Sequence, residues 1–263
     1  MTEPHPPGAN SNDDGLSSAH VAHHFDTPKQ QYDAAKLGMW IFLMTEVLFF
    51  GGLFCAYAVF RANHPEIFVD GHRFLDKPLG AANTVVLIFS SLTMALAVRA
   101  AQLGRRRALV GLLGITLLCG LAFLAVKAVE YKHKWDHQMV PGQARIVYWF
   151  SREAGSEPRK EFRPDEAYVR EHLAAEGFEK LSQAEYAQRA EHLGTFMGIY
   201  FSLTALHAVH VIAGLGVIVW ILVGAIRGRF SSRYFTPVDM VGLYWHLVDM
   251  IWIYLFPLLY LIH

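Results

Sequence analysis

Five long hydrophobic stretches follow one another along the chain, separated by shorter polar segments. A helix needs about 20 residues to cross the hydrocarbon core of a bilayer, and each stretch is long enough. Inside hydrocarbon a helix satisfies all its own backbone polar groups, which an irregular segment cannot do. The pattern predicts an all-α integral membrane bundle with five transmembrane helices, at about residues 37–60, 79–103, 109–129, 195–226 and 238–262.

Two polar regions flank or interrupt these spans. Residues 1–28 are rich in proline, glycine and histidine without apolar periodicity, so we expect a flexible tail there. Residues 131–194 hold 21 of the 46 charged residues, which indicates a solvated loop between the third and fourth spans. Within it, Ser182 and Glu185 have capping-box spacing and predict a short helix leading towards the fourth span. Pro164 is followed by two acidic residues and predicts another short helix, ending near Gly177.

The short flanks of the spans carry an uneven distribution of basic residues. The N-terminal side carries nine, whereas the opposite side carries three, at Arg61, Arg73 and Lys77. Basic residues near span ends are enriched on the cytoplasmic side of a membrane. We therefore expect a cytoplasmic N-terminus, with the C-terminus and the 131–194 loop extracytoplasmic. The nine residues on the N-terminal side are Lys29, Lys36, Arg99, Arg105, Arg106, Arg107, Arg227, Arg229 and Arg233.

Composition narrows the class of protein further. The chain is 53% hydrophobic and 17% charged, with 23 basic and 23 acidic residues. A neutral chain offers no basic excess to displace the counterions of a nucleic acid, so we expect no such partner. Cys55 and Cys119 lie far apart within apolar runs and are expected to behave as small hydrophobic residues.

Glu46 is the first of the polar residues inside the spans, about ten residues into its helix. Hydrocarbon penalises charge by several kcal/mol, so an ionisable group at that depth requires an explanation. One interpretation is a functional carboxyl facing a helix or a water-filled cleft. The other is a neutral glutamic acid, hydrogen-bonded to a neighbouring helix and without chemistry of its own.

Two further pairs have helical spacing. His246 and Asp249 are three residues apart, so we expect them to pair directly. A structural anchor between helices is favoured for this pair over a proton relay or metal site. Lys127 and Glu130 are also three apart, at the outer end of the third span, where they can pair or reach into the headgroup layer.

His207 and His210 share one face of the fourth span. Two histidines at this spacing can ligate a metal ion or supply haem ligands. Hydrogen bonding between packed helices is the favoured interpretation, because a complete ligand set is not evident. The sequence also contains no Walker loop, Rossmann glycine fingerprint, CxxC or zincin motif. The residues alone leave open a small proton-linked transporter using Glu46 and Asp249, or a membrane cytochrome using the two histidines.

Several sequence blocks closely resemble subunit III of cytochrome c oxidase, in its five-helix bacterial form. They occur in family order and touch every span. The resemblance covers roughly residues 25–139 and 194–261. The blocks are LGMWIFLMTEVLFFGG at 37–52, NT at 83–84, EY at 130–131, GTF at 194–196, HAVHVIAG at 207–214 and YWHLVDMIW at 244–252.

This resemblance implies an accessory subunit of a haem-copper oxidase, placed in a bacterial inner membrane, with no catalytic, cofactor-binding or metal-binding residue of its own. Haem and copper are expected in partner subunits I and II, and phospholipid is expected on this chain, with Arg227 as a lipid contact. The implied role is to support assembly, sustained proton uptake and oxygen access. The family-motif residues at buried polar positions are Glu46, Asn83, Glu130, His207, His210, Trp245, His246 and Asp249.

The resemblance leaves some points open. A subunit of a quinol oxidase or of nitric oxide reductase is the alternative within the family. Longer members have two additional helices at the start that form one wall of a lipid-filled cleft, and the resemblance implies that this chain corresponds to the shorter form without them. The loop at 143–192 is longer than expected for the family.

Overall fold

The computed structural model describes residues 25–141, 164–175 and 182–262. Among these residues the chain is helical apart from short connections and one isolated bridge between Ser231 and Tyr234. Five helices are long and apolar enough to cross a membrane, which confirms the predicted all-α bundle with five spans. They are α1 (Pro28–Asn63), α3 (Lys77–Gln102), α4 (Arg106–Asp136), α6 (Gln183–Ile226) and α7 (Thr236–Tyr260).

Two shorter helices lie in the connections. Helix α2 (Pro65–Gly71) follows α1 and leads into a single 3-10 turn. Helix α5 (Glu166–Ala175) begins where the proline and acidic residues predicted a helix. The predicted end near Gly177 lies outside the described residues, as does the tail at 1–24.

The helix before the fourth span differs from the prediction. Ser182 and Glu185 do form a capping box, but the helix that they open continues without a break for 44 residues as α6. The prediction of a separate short helix is therefore wrong. No proline interrupts residues 183–226, so nothing in the backbone forces the helix to stop at the membrane surface.

Helix ends are set by local side chains and glycines. Asp76 accepts a hydrogen bond from the backbone N–H of Leu79 and opens α3. Gly104 has a φ of 66° and Gly228 a φ of 72°, the left-handed conformation that commonly ends helices. Gly104 allows α3 and α4 to be joined by a very short turn.

The spans pack around a core formed by α3, α4, α6 and α7. Helix α3 lies against α4 and α7, and α6 also lies against both. Trp245 and Trp252 of α7 and Phe123 of α4 are completely buried at the centre. Helix α1 is the least buried span and contacts α7 and α2, so most of its apolar surface faces outward.

The bundle has two ends that differ in chemistry. Residues 64–76, 137–141 and 164–175 lie at one end, which we call the loop face. There Asp70 forms ion pairs with Arg189 and His192, and Phe196 packs closely against Gly71, so α2 is fixed to α6. The other end, called the arginine face, carries residues 103–105 and 227–235 and the start of α1.

Candidate functional site

Glu46 contacts the fourth span through His210. The carboxyl Oε2 of Glu46 lies 3.0 Å from Nε2 of His210, and both side chains are about four-fifths buried, with 18% and 20% exposed. Phe50 packs edge-on against the same imidazole. This contact is a polar link between the outermost helix and α6, in agreement with the hydrogen-bonded interpretation of both residues.

The hydrogen bond of this pair requires a hydrogen between Glu46 and His210. Nδ1 of His210 lies 2.8 Å from the carbonyl oxygen of Leu206, and a carbonyl only accepts, so Nδ1 carries a hydrogen. If the ring is neutral, Nε2 accepts a hydrogen bond from a protonated Glu46. If the ring is charged, Nε2 donates to a carboxylate. In both cases one proton is shared between Glu46 and His210.

His207 lies one turn away from His210 on α6 and has a different environment. It is 1% exposed, and neither ring nitrogen has a hydrogen-bond partner among the described residues. Its ring packs edge-on against Phe123 and lies 5.5 Å from the ring of Trp252. The two histidines predicted to share a helix face therefore do so, but only His210 makes the expected interhelical hydrogen bond.

A second polar cluster lies towards the loop face and is centred on Lys127. Nζ of Lys127 donates to Glu130 at 2.7 Å and to the hydroxyls of Tyr200 and Tyr260 at 2.9 Å. Lys134 donates to the other carboxylate oxygen of Glu130 at 2.9 Å. We call these five residues the lysine cluster. It joins α4, α6 and α7, with two positive charges around one negative charge.

The lysine cluster distinguishes between the two expectations for Lys127, which were pairing with Glu130 and contact with the headgroup layer. Lys127 does not reach the headgroup layer: it is 5% exposed, and its ammonium lies 5.0 Å from the centre of the Trp252 ring. Its pairing with Glu130 was predictable from their spacing. Lys134 lies four residues after Glu130, so the same spacing rule predicts its contact. The two tyrosines lie on other helices, and no spacing rule predicts them.

Three residues of the α7 motif bind hydroxyl groups of α3. The indole N–H of Trp245 donates to Ser90 at 2.9 Å, and that of Trp252 donates to Thr84 at 3.0 Å. His246 shares a hydrogen bond with Ser91 at 2.7 Å. The motif is therefore a row of side chains that attaches α7 to α3.

The predicted pairing of His246 with Asp249 is wrong. Nδ1 of His246 faces Ser91, and both carboxyl oxygens of Asp249 lack a hydrogen-bond partner in the described part of the chain. Asp249 is 2% exposed and lies near Cys119 of α4. The two side chains point to different neighbouring helices.

The remaining family-motif residues occupy contrasting positions. Asn83 is buried in the first turns of α3, with 2% of its surface exposed. Arg227 ends α6 and is exposed on the arginine face. The guanidinium of Arg106, which the sequence marked only as a basic flanking residue, binds the carbonyl oxygens of Ala225 and Ile226 and so completes the end of α6.

The histidine, cysteine and acidic side chains of the described residues are candidate metal ligands. Within the described residues, no group of three or more His, Cys, Asp and Glu side chains is arranged to hold a metal ion. Both ring nitrogens of His210 are engaged by Leu206 and Glu46. The polar groups of His210, the lysine cluster and the α7 motif therefore connect helices to one another.

Known proteins resemble this chain over most of its length. The family model described as cytochrome c oxidase subunit III matches residues 171–263. Subunit 3 of the cytochrome bo(3) ubiquinol oxidase of Pseudomonas aeruginosa is 27% identical over 94% of each chain. Subunit 3 of the cytochrome c oxidase of Corynebacterium diphtheriae is 28% identical over 86% of this chain and 87% of the relative. The chain is thus similar to subunit III of haem-copper oxidases, by the family model in its C-terminal third and by these relatives over most of its length.

Another relative of the chain is a larger protein. The haem-copper oxidase subunit I+III of Aeropyrum pernix is 28% identical over 91% of this chain, which spans 24% of that protein. In that archaeal protein, as its name states, subunit III is part of the same polypeptide as subunit I.

Proposed function

We propose that the chain is the accessory, non-catalytic subunit III of a haem-copper terminal oxidase in an aerobic respiratory chain. The observation that carries this proposal is the match to subunit III proteins along nearly the whole chain. The structure supports it, because the buried polar residues of α1, α4, α6 and α7 bind one another. Such contacts suit a subunit that contributes structure to a larger complex.

The catalytic subunit I is the main proposed partner. Support comes from the relative in which subunits I and III form one polypeptide, because fused subunits lie beside each other. The outward apolar surface of α1 and α3 is compatible with a membrane partner or with lipid. Subunit II and further respiratory subunits complete the proposed assembly, and the haem and copper lie in those partners.

Bound phospholipid is the second part of the proposal. A half-open cavity of about 380 Å³ lies between α1 and α6, lined largely by apolar and small side chains, among them Leu53, Ala56, Phe60, Gly198 and Leu203. Its lining suits a lipid chain, since the hydroxyls of Tyr57 and Ser202 already bind backbone carbonyls. We propose that lipid held here, and separately lipid whose headgroup contacts Arg227 at the arginine face, supports oxygen access and sustained proton uptake.

Cytochrome c is the proposed electron donor, and quinol is the alternative. Relatives of both kinds match with nearly equal identity, 28% for the cytochrome c oxidase subunit and 27% for the ubiquinol oxidase subunit. The donor binds elsewhere in the complex. Assays of the purified complex with reduced cytochrome c and with quinol will identify it.

The accessory role is tested by removing the chain. Oxidase is purified from otherwise identical cells with and without its gene, and turnover is followed over many cycles at matched haem content. We expect the initial rate to be largely retained and activity to decay faster without the chain. Equal rates and equal durability in both preparations would contradict the proposal.

A further inference from the structure

His207 is buried in a way that calls for an additional hydrogen-bonding group. An imidazole ring always carries at least one N–H, and a neutral ring also carries an acceptor nitrogen. Neither nitrogen of His207 has a partner among the described residues, although the ring is 1% exposed. A buried polar group left without a partner costs about 1–3 kcal/mol. The aromatic rings of Phe123 and Trp252 beside it cannot satisfy both nitrogens.

The surroundings of His207 indicate which group this is. The ammonium of Lys127 lies 5.0 Å from the centre of the Trp252 ring, which packs beside His207, so it would repel a cation bound to the imidazole. Lys127 already uses its three hydrogens on Glu130, Tyr200 and Tyr260 and is not free to bind the ring. Water is small, neutral, and both donates and accepts, and buried waters typically bind such otherwise unsatisfied groups.

His207 also lies between the two polar groups already described. On one side, one turn away, is the Glu46–His210 pair. On the other side is Thr204, which lies 2.5 Å from the hydroxyl of Tyr131, and then Tyr200 of the lysine cluster. Residues at these spacings share one face of a helix. From Tyr200 to His210 the helix rises about 15 Å, roughly half the hydrocarbon core.

We propose that His207 binds internal water, and that this water connects the Glu46–His210 pair to the hydroxyls and lysine cluster near the loop face. The shared proton of the pair then exchanges with that face through His207. Each group passes one proton on and receives one, so no charge accumulates and no electron moves. This inference concerns the chain itself and does not depend on its proposed role in the oxidase.

The test uses solid-state NMR of the purified protein in lipid bilayers, with ¹⁵N-labelled histidine. His207→Asn assigns the ring signals of His207 by their disappearance. A water-edited spectrum then reports which ring nitrogens contact water. Transfer into deuterated buffer gives the exchange rate of the His210 ring hydrogens, in the unaltered protein and in His207→Phe. His246→Phe serves as a control, because His246 is a membrane histidine bound to Ser91 and lies outside this path.

We expect His207 to contact water, and exchange at His210 to slow at least tenfold in His207→Phe and to be unchanged in His246→Phe. Absence of water contact at His207 would overturn the proposal, as would unchanged exchange at His210 in His207→Phe. If His207→Phe does not fold, the water contact of His207 in the unaltered protein decides alone.

Discussion

Buried carboxyl groups in this chain differ greatly in what surrounds them. Glu130 accepts hydrogen bonds from Lys127, Lys134, Tyr200 and Tyr260. Asp249, buried to a similar degree, has no partner among the described residues. Removing one partner from a buried charge network leaves the others uncompensated, whereas an unpartnered group has no hydrogen bond to lose.

Glu130→Ala is therefore expected to be strongly destabilising. The two lysines would be left buried without their counter-charge, at a cost of about 3–5 kcal/mol. Thermal unfolding of the purified protein measures the loss, with Glu191→Ala as a control at an exposed site on α6. Equal effects of the two substitutions would show that the lysine cluster does not hold the helices together.

Asp249→Asn is expected to change the free energy of unfolding by less than about 1 kcal/mol, because the amide loses no hydrogen bond that the carboxyl makes. His246 keeps its contact with Ser91 in this variant. The same thermal unfolding experiment measures the effect. A loss comparable to that of Glu130→Ala would reveal a partner for Asp249 that the described residues do not provide.

Glu46→Gln is expected to leave assembly of the protein intact. The amide keeps the shape of the side chain and still bonds to Nε2 of His210, at the position where the carboxyl now lies 3.0 Å away. Glu46→Leu removes that bond and is the matched comparison. Yield and composition of the purified complex are the readout, and loss of the complex with Glu46→Gln would argue against a packed, hydrogen-bonded Glu46.

Sequence reasoning reached some of these residues and not others, for a physical reason. Lys127 and Glu130 were predictable as a pair because helix geometry fixes neighbours three and four residues apart. Tyr260 also binds Lys127, although the two residues are 133 positions apart in the sequence. No rule based on helical spacing predicts such a contact. The pairing of His246 with Asp249 failed for the same reason: Ser91, on another helix, lies closer to the imidazole.

At the scale of helices, hydropathy located every span but not its full length. Helix α4 extends to Asp136 and α6 begins at Gln183, each well beyond the apolar stretch that revealed it. The hydrophobic pattern marks only the part of a helix that lies in hydrocarbon. The helix itself can continue into the polar segment when no helix-breaking residue such as proline interrupts it. The loop at 131–194 is accordingly more helical at its ends than its charge suggested.

Helices α4, α6 and α7 pack closely together where Gly120, which has no side chain, lies. A Cβ atom there would lie 2.5 Å from Leu215 and 3.0 Å from Trp245, whereas at Gly114 it would meet nothing within 4 Å. Gly120→Ala should cost about 1–3 kcal/mol through overpacking. Gly114→Ala, on the same helix, should be neutral or gain up to about 1 kcal/mol from helix propensity. Thermal unfolding distinguishes them, and similar behaviour would contradict this packing.

For the whole molecule, the two ends of the bundle determine its orientation. The arginine face carries Arg105–Arg107 and Arg227–Arg233, and we propose that it is cytoplasmic. In a variant with Cys55 and Cys119 replaced by serine, Ser232→Cys and Glu66→Cys place one thiol on each face. A membrane-impermeant maleimide added to intact cells stripped of their outer membrane should label only Glu66→Cys. Labelling of only Ser232→Cys would reverse the orientation.

Membership of a haem-copper oxidase is tested most directly by purification through an affinity tag on this chain, followed by haem and copper analysis and mass spectrometry. The account predicts a complex containing a catalytic subunit I with haem and copper, and no haem on this chain once it is dissociated. Purification of the chain alone, or haem bound to the isolated chain, would contradict it.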